Sequence, residues 1–255
     1  MKIGAQLYTV RDYCQNLDDF AATLEKVAKI GYTAVQISGC CEYEPQWLKA
    51  QLEKNGLTCH LTHIEMEDII RDPDQLVADH NVYGCKHIGI GYMPPEFRGD
   101  VAKVEDFCSR FDAASQRIRE LGSKLMYHNH GFEYDDRGDG KNYMEMIADR
   151  FPATDLGFTL DTYWVEFANY DVVSEIKRLS GRLPCVHLKD MEILPDGTKR
   201  YCPVGSGVLD FQKILPAFEA AGTQWAFVEQ DECFGEDPFA CLKKSYDYLT
   251  ALGYH

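Results

Sequence analysis

A chain of 255 residues with 45% hydrophobic side chains can bury a core, either as one large domain or as two small ones. Its 26 Lys and Arg face 41 Asp and Glu, and the resulting formal charge of −15 repels a phosphate backbone and argues against nucleic acid as a partner. No apolar run is long enough to cross a bilayer, and the ten cysteines accompany neither a signal-peptide pattern nor a C-x-x-C pair, so they read as reduced thiols and the expected compartment is the cytoplasm.

Short apolar runs then alternate with stretches of helical spacing along the chain. Residues 2–7 read as a first strand. A helix opens at Leu17-Asp18-Asp19, places Phe20, Leu24, Val27 and Ala28 on one face and stops at Gly31. A second strand at 33–37 is followed by a helix over 45–55, with Pro45 in its first turn and Gly56 past its end. The spacing next predicts strands at 57–62, 86–90 and 124–128, with helices over 73–82, 101–121 and 143–150. Strands at 156–160, 184–188 and 225–228 come last, with helices over 172–179, 211–221 and 238–252. Eight strands alternating with eight helices indicate an α/β protein, a single (β/α)8 TIM barrel over residues 1–255. An open doubly wound sheet is the alternative. No linker or low-complexity stretch divides the chain, and the β/α unit is its only repeat.

In such a barrel the loops after the strands converge on one face, so the strand ends carry the chemistry. In order they present Gln6 and Tyr8, Ser38, His63 with Glu65, Gly91, His128 with Asn129 and His130, Asp161, His187 with Lys189, and Glu229 with Asp231. The segment from Leu183 to Asp190 shows the pattern most sharply, as a buried apolar strand that stops at a histidine and turns charged. Asp161, His187 and Glu229 offer mixed nitrogen and oxygen ligands to one divalent cation. Mn2+ is the first expectation, with Co2+, Mg2+, Fe2+ and Zn2+ as alternatives. Each residue alone is more often a loop anchor or cap; three at consecutive strand ends reverse that and point to a metal. For the fourth ligand, His128 points inward with Met126 and His130, and Glu133 is the competitor through a folded loop. Glu133 is otherwise a catalytic acid/base or an exposed loop acid.

Lys189 shares one side of its strand end with His187 and is assigned a catalytic or oxygen-holding role, against a salt bridge to Asp190 or another barrel acid. His63, His130 and Trp164 are the candidate substrate contacts. For His130 the alternative is hydrogen-bonded support, and for Trp164 and Phe132 it is core packing. Gly205-Ser206-Gly207 either turns N–H groups toward an anion or makes a plain turn, the preferred reading.

Five ordered segments carry a family resemblance: Gln6-Leu7-Tyr8-Thr9-Val10-Arg11-Asp12, Tyr127-His128-Asn129-His130-Gly131-Phe132-Glu133, Leu160-Asp161-Thr162-Tyr163-Trp164, Val186-His187-Leu188-Lys189-Asp190 and Pro203-Val204-Gly205-Ser206-Gly207. Together they resemble the xylose isomerase-like barrel superfamily, in its sugar phosphate isomerase/epimerase branch, over nearly the whole chain. The resemblance implies metal ligands at Asp161, His187 and Glu229. It also implies a glutamate at strand five, where this chain has His128, and often an acid where Ser206 stands. In the epimerases that glutamate and the one on strand eight form an acid/base pair, so Glu229 is expected to be both ligand and catalytic residue, and Glu133 is the candidate for the missing partner.

The implied activity is metal-assisted proton transfer beside a ketose carbonyl, in a sugar isomerase or epimerase acting on a small carbohydrate, sugar phosphate or keto-sugar. The alternative is a metal-dependent lyase or dehydratase acting on an inosose or 3-keto-sugar, suggested by His128. Two further readings are a sugar-binding barrel without catalysis and a DNA-repair endonuclease, the latter opposed by the charge. The 12% aromatic content is compatible with a buried homodimer face.

Overall fold

Strands buried on both faces must be covered on both sides, and this chain covers them by closing the sheet on itself inside a ring of helices. The structure, a computed structural model, describes all 255 residues. In chain order the elements begin with β1 (Lys2–Gln6), α1 (Leu17–Ile30), β2 (Ala34–Ile37), α2 (Pro45–Asn55), β3 (Thr58–Ile64), α3 (Met66–Arg71), α4 (Pro73–Val82) and β4 (His87–Ile90). They continue with α5 (Val101–Arg110), α6 (Asp112–Glu120), β5 (Lys124–His128), α7 (Tyr143–Arg150), β6 (Leu156–Thr159), α8 (Thr162–Phe167), α9 (Val172–Arg178) and β7 (Cys185–Leu188). Last come β8 (Asp190–Ile193), β9 (Lys199–Cys202), α10 (Phe211–Ala220), β10 (Trp225–Val228) and α11 (Pro238–Ala251).

The parallel sheet runs β6-β5-β4-β3-β2-β1-β10-β7. Its two ends meet through the parallel bridge of Asp161 with His187 and through the His187 N–H to Leu160 carbonyl bond of 2.9 Å. The result is a TIM barrel, with β10 as its eighth stave. Two hydrophobic layers hold it. The larger lies between strands and helices and includes Phe20, Phe107, Phe158, Phe211 and Phe218. The smaller fills the lumen with Ala34, Leu61, Met126, Cys185 and Phe227. A Cβ on Gly4 would lie 2.7 Å from the Phe227 ring, and one on Gly157 would lie 2.6 Å from Met126 Sδ, so these strand glycines are the space into which the plug packs.

Three local features differ from the sequence pattern. The stretch 101–121 is two helices, separated at Phe111 (φ −94°, ψ −3°), whose buried ring packs on Phe107 with centroids 5.1 Å apart. Short helices α3 and α8 follow β3 and β6 directly. A two-stranded antiparallel hairpin, β8 with β9, stands between β7 and α10, pairing Asp190 with Cys202. The cysteines are free and mostly buried, and no helix is long and apolar enough to cross a membrane.

Candidate active site

Side chains two residues apart on a strand share a face, so each residue of the lumen plug has a companion one layer higher. Above Ala34 stands Gln36, above Leu61 His63, above Met126 His128, above Cys185 His187 and above Phe227 Glu229. This layer is polar and lies at the C-terminal ends of the strands. With Asp161 at the end of β6 it forms a buried group in which single ligand atoms of His128, Asp161, His187 and Glu229 all lie within 4.8 Å of one another.

Both imidazoles are oriented from behind. His128 Nδ1 donates to the Gly91 carbonyl at 2.8 Å, which leaves Nε2 facing Asp161 Oδ2 at 3.3 Å. His187 Nε2 donates to Gln36 Oε1 at 2.7 Å, which leaves Nδ1 3.0 Å from Glu229 Oε2 and 3.8 Å from Asp161 Oδ2. That Nδ1 is buried and lacks the alignment of a hydrogen bond despite the short contact. Asp161 spends Oδ1 on the N–H groups of Tyr163 and Trp164, at 2.9 and 3.3 Å, and its own N–H donates to Asn129 Oδ1. Two nitrogens and two carboxylate oxygens therefore converge, with the outer atoms of both imidazoles and of Asp161 already engaged, as in metal sites whose ligands are fixed by outer partners. The cluster can hold a divalent cation of the kind that takes mixed N/O ligands.

The electrostatics follow from dense packing of opposite charges. Burial opposes ionisation of Asp161, but the Lys189 ammonium and the two imidazoles outweigh it and hold the carboxyl well below its usual range. Glu229 is likewise lowered against burial, by Lys189 and His187. His187 is raised to about 9 by Glu229 and Asp161, again against burial. Lys189 Nζ lies 2.7 Å from Asp231 Oδ1, 3.3 Å from Glu229 Oε2 and 3.5 Å from Asp161 Oδ2, under the rings of Tyr201, Trp164 and Tyr163. Although buried, it stays charged, its pKa lifted by those three carboxylates.

Asp190 is not its partner. Its carboxylate accepts from the N–H groups of Gly205 and Gly207 at 2.9 Å and of Leu209 at 3.2 Å. The glycine segment is thus a turn wrapped round an internal carboxylate.

Glu133 sits apart from the four. It is fully buried, with Oε1 accepting from the Tyr127 hydroxyl at 2.6 Å and Oε2 from the His130 N–H at 2.8 Å. Tyr127 precedes His128 on β5 and so faces the outer core, where it meets Phe107 and Phe158. Glu133 follows it there, neither a member of the cluster nor an exposed acid. Burial raises its pKa to about 7, against the hydrogen bonds it accepts.

His63 and His130 line a cavity of about 490 Å³ together with His128, Lys189, Glu229 and Asp231. His63 Nδ1 is 3.2 Å from Ser38 Oγ, while its Nε2 and His130 Nδ1 have no partner. Burial, reinforced by neighbouring histidines, pushes both rings well below the ordinary imidazole value and keeps them neutral. Trp164 stands behind this wall, with its ring 5.3 Å from His130 and no place in the cavity lining. Gln36 was not among the residues marked by the sequence pattern; its signal is a lone amide inside the apolar run Ala34-Val35-Gln36-Ile37. Arg98 and Tyr201 lie in loop and hairpin, where the pattern carries no signal.

Comparison with known proteins agrees with this architecture. The family model for the xylose isomerase-like TIM barrel matches residues 24–251. The inosose dehydratase of Geobacillus kaustophilus (strain HTA426) is 23% identical over 274 aligned residues, covering 91% of this chain and 87% of that protein. The inosose dehydratase of Lacticaseibacillus casei is 25% identical over 191 residues, covering 68% and 61%. Among solved structures, a sugar phosphate isomerase/epimerase from Parabacteroides distasonis ATCC 8503 superposes with a TM-score of 0.81 at 23% identity, covering 98% of this chain and 97% of that one. The chain belongs to the xylose isomerase-like TIM barrel family.

Proposed function

We propose that the protein is a metal-dependent lyase that removes the proton α to the carbonyl of a keto-sugar or inosose and expels an oxygen substituent from the β carbon. The observation that carries this reading is the mismatch between the groups flanking the cluster. Epimerisation needs two groups that exchange protons with one carbon from opposite faces. Here Glu133 is turned away, and Lys189 is locked in its charged form by Asp161, Glu229 and Asp231, so it serves as a hydrogen-bond donor and not as a base.

His128, Asp161, His187 and Glu229 would hold the cation, which supplies Lewis acidity at a substrate carbonyl and acidifies the adjoining C–H. The neutral imidazole of His63, with Nε2 unpartnered in the cavity wall, takes the α proton. The C–H pair becomes the new C=C bond as the β C–O bond breaks. Lys189 hydrogen-bonds the departing oxygen, and the imidazolium returns its proton there, so hydroxide leaves as water. His130 and Lys189 orient the substrate hydroxyls. The two inosose dehydratase relatives support this direction of chemistry.

The test is incubation of Mn2+-loaded protein with inosose and 3-keto-sugar substrates, following the enone or dione chromophore and the α-proton signal in deuterium oxide. The chromophore should form with Mn2+, stop forming on chelation and resume on adding Mn2+ back. His63→Asn should lower the rate by about 10² to 10⁴. Activity indifferent to chelation would remove the metal from the scheme. A second reading, a sugar isomerase or epimerase, is favoured by the other unpartnered imidazole, His130, which offers a second base. Its signature is deuterium entry with an isomeric sugar as product and no chromophore.

A further inference from the structure

The cavity has an outer end. Its mouth is formed by Tyr92, Pro94 and Arg98 from the loop after β4, facing Glu65 and Met66 at the start of α3. Arg98 is fixed there twice: Nε donates to the Met93 carbonyl at 2.7 Å, and the guanidinium lies 4.1 Å over the Phe132 ring. Phe132 in turn stacks on His130, with centroids 6.0 Å apart and planes 14° apart. Arg98, Phe132 and His130 thus form one layered wall, with the guanidinium outermost and the cluster innermost.

These contacts use the Nε edge and the flat face of Arg98 and leave its two terminal amino groups without a protein acceptor. That is unusual in this chain. The other arginines are paired with carboxylates except Arg182, which donates to the carbonyls of Ala148, Phe151 and Leu156. In a chain with 41 acids against 26 bases, Arg98 forms no salt bridge; its charge reaches Glu133 through space, without a hydrogen bond. A stacked, immobilised guanidinium is the preferred partner of planar or tetrahedral oxyanions, which it binds through two parallel N–H bonds. Elsewhere the cavity disfavours anions, because Glu65, Glu229 and Asp231 line it and Lys189 is surrounded by three carboxylates.

We infer that Arg98 anchors an anionic group, a carboxylate or a phosphate, at the end of the substrate remote from the reacting carbon; this rests on reading the cavity as the substrate site. The ligand class is then a keto-sugar acid or a keto-sugar phosphate.

Isothermal titration of Mn2+-loaded protein with D-glucitol, D-gluconate and D-glucitol phosphate tests this without turnover, so its outcome is independent of whether elimination occurs. Wild-type protein should bind at least one anion about tenfold tighter than glucitol, the scale of one charge-assisted hydrogen bond. Arg98→Met and Arg98→Gln, whose folding is checked by circular dichroism, should lose most of that preference while binding glucitol as before. Preference for gluconate identifies a carboxylate, and preference for glucitol phosphate a phosphate. Equal binding of all three probes overturns the inference. So does a preference that survives in either folded variant, since the anion would then be held by the metal or by Lys189.

Discussion

Glu133 is a buried carboxyl that forms no salt bridge, although the nearby Arg98 charge, like its hydrogen bonds, works against the effect of burial. Burial raises its pKa from an ordinary 4.5 to about 7. Between those values the folded chain holds a proton that the unfolded chain has released, so folding is favoured at the acid end. The contribution is complete below about pH 4.5 and is lost as pH rises through about 7, at roughly 1.4 kcal/mol per unit and on the order of 3 kcal/mol in all. Glu133→Gln can keep contacts to Tyr127 and the His130 backbone while removing the titration. Urea unfolding at both ends of that window should show the variant gaining stability relative to wild type as pH rises; parallel profiles would mean that Glu133 is ionised throughout. Gln36 gives a second test at this scale. Its Oε1 is the only acceptor fixing the His187 ring. Gln36→Leu should weaken Mn2+ binding by about 10- to 100-fold, as loss of an outer partner to a ligating histidine does, measured by metal titration. Unchanged affinity would separate Gln36 from the metal site.

At the scale of elements, the seam between β6 and β7 depends on one hydroxyl. Thr162 Oγ1 donates to the Lys189 carbonyl at 2.7 Å and accepts from the Lys189 N–H at 3.0 Å, acting as a ladder rung where the strands have few of their own. Thr162→Val keeps the shape and leaves two buried backbone groups unsatisfied, which should cost about 2 to 4 kcal/mol of stability in chemical denaturation. Thr162→Ser, which keeps the hydroxyl, should recover most of it; a Thr162→Val protein as stable as wild type would show that the hydroxyl carries no part of the seam. The seam also shows why some elements were legible and others not. Strands such as Cys185-Val186-His187-Leu188 declare themselves because both faces are buried and the pattern breaks only where the lumen turns polar. The same rule exposes His128, His187 and Glu229, each two residues beyond a plug residue. The β8–β9 hairpin is not legible: its alternation is short, and it is held by Asp190 reaching the N–H groups of Gly205 and Gly207, fifteen and seventeen residues away. The fate of Glu133 is hidden for the same reason, since Tyr127, six residues earlier and on the outward face of β5, decides it. Helix α5 breaks from α6 at an aromatic contact within one apolar face, where helical periodicity is undisturbed.

For the whole molecule, the position of the four candidate ligands would couple barrel closure to the binding of a cation. Asp161 lies at the end of β6, His187 on β7 and Glu229 at the end of β10, so a cation held by all three would span a seam that backbone pairing covers sparsely, by the Asp161–His187 bridge and the His187–Leu160 and Phe158–Arg182 bonds. Binding to the folded state alone stabilises it by about 2.7 kcal/mol at a hundredfold excess over Kd. For a chain of this length that corresponds to a rise in Tm of roughly 5 to 10 °C. The gain should be spatially uneven. Hydrogen exchange of the His187 amide, bonded to Leu160, and of the Phe158 amide, bonded to Arg182, should slow more on adding Mn2+ than exchange in β2 or β3, which are paired on both sides. Asp161→Asn keeps the N-cap acceptor of α8 but removes a ligand charge, and should abolish both the Tm rise and the selective protection. A uniform slowing across all strands, or an equal rise in Tm in the variant, would mean that the cation binds elsewhere and that the seam is closed without it.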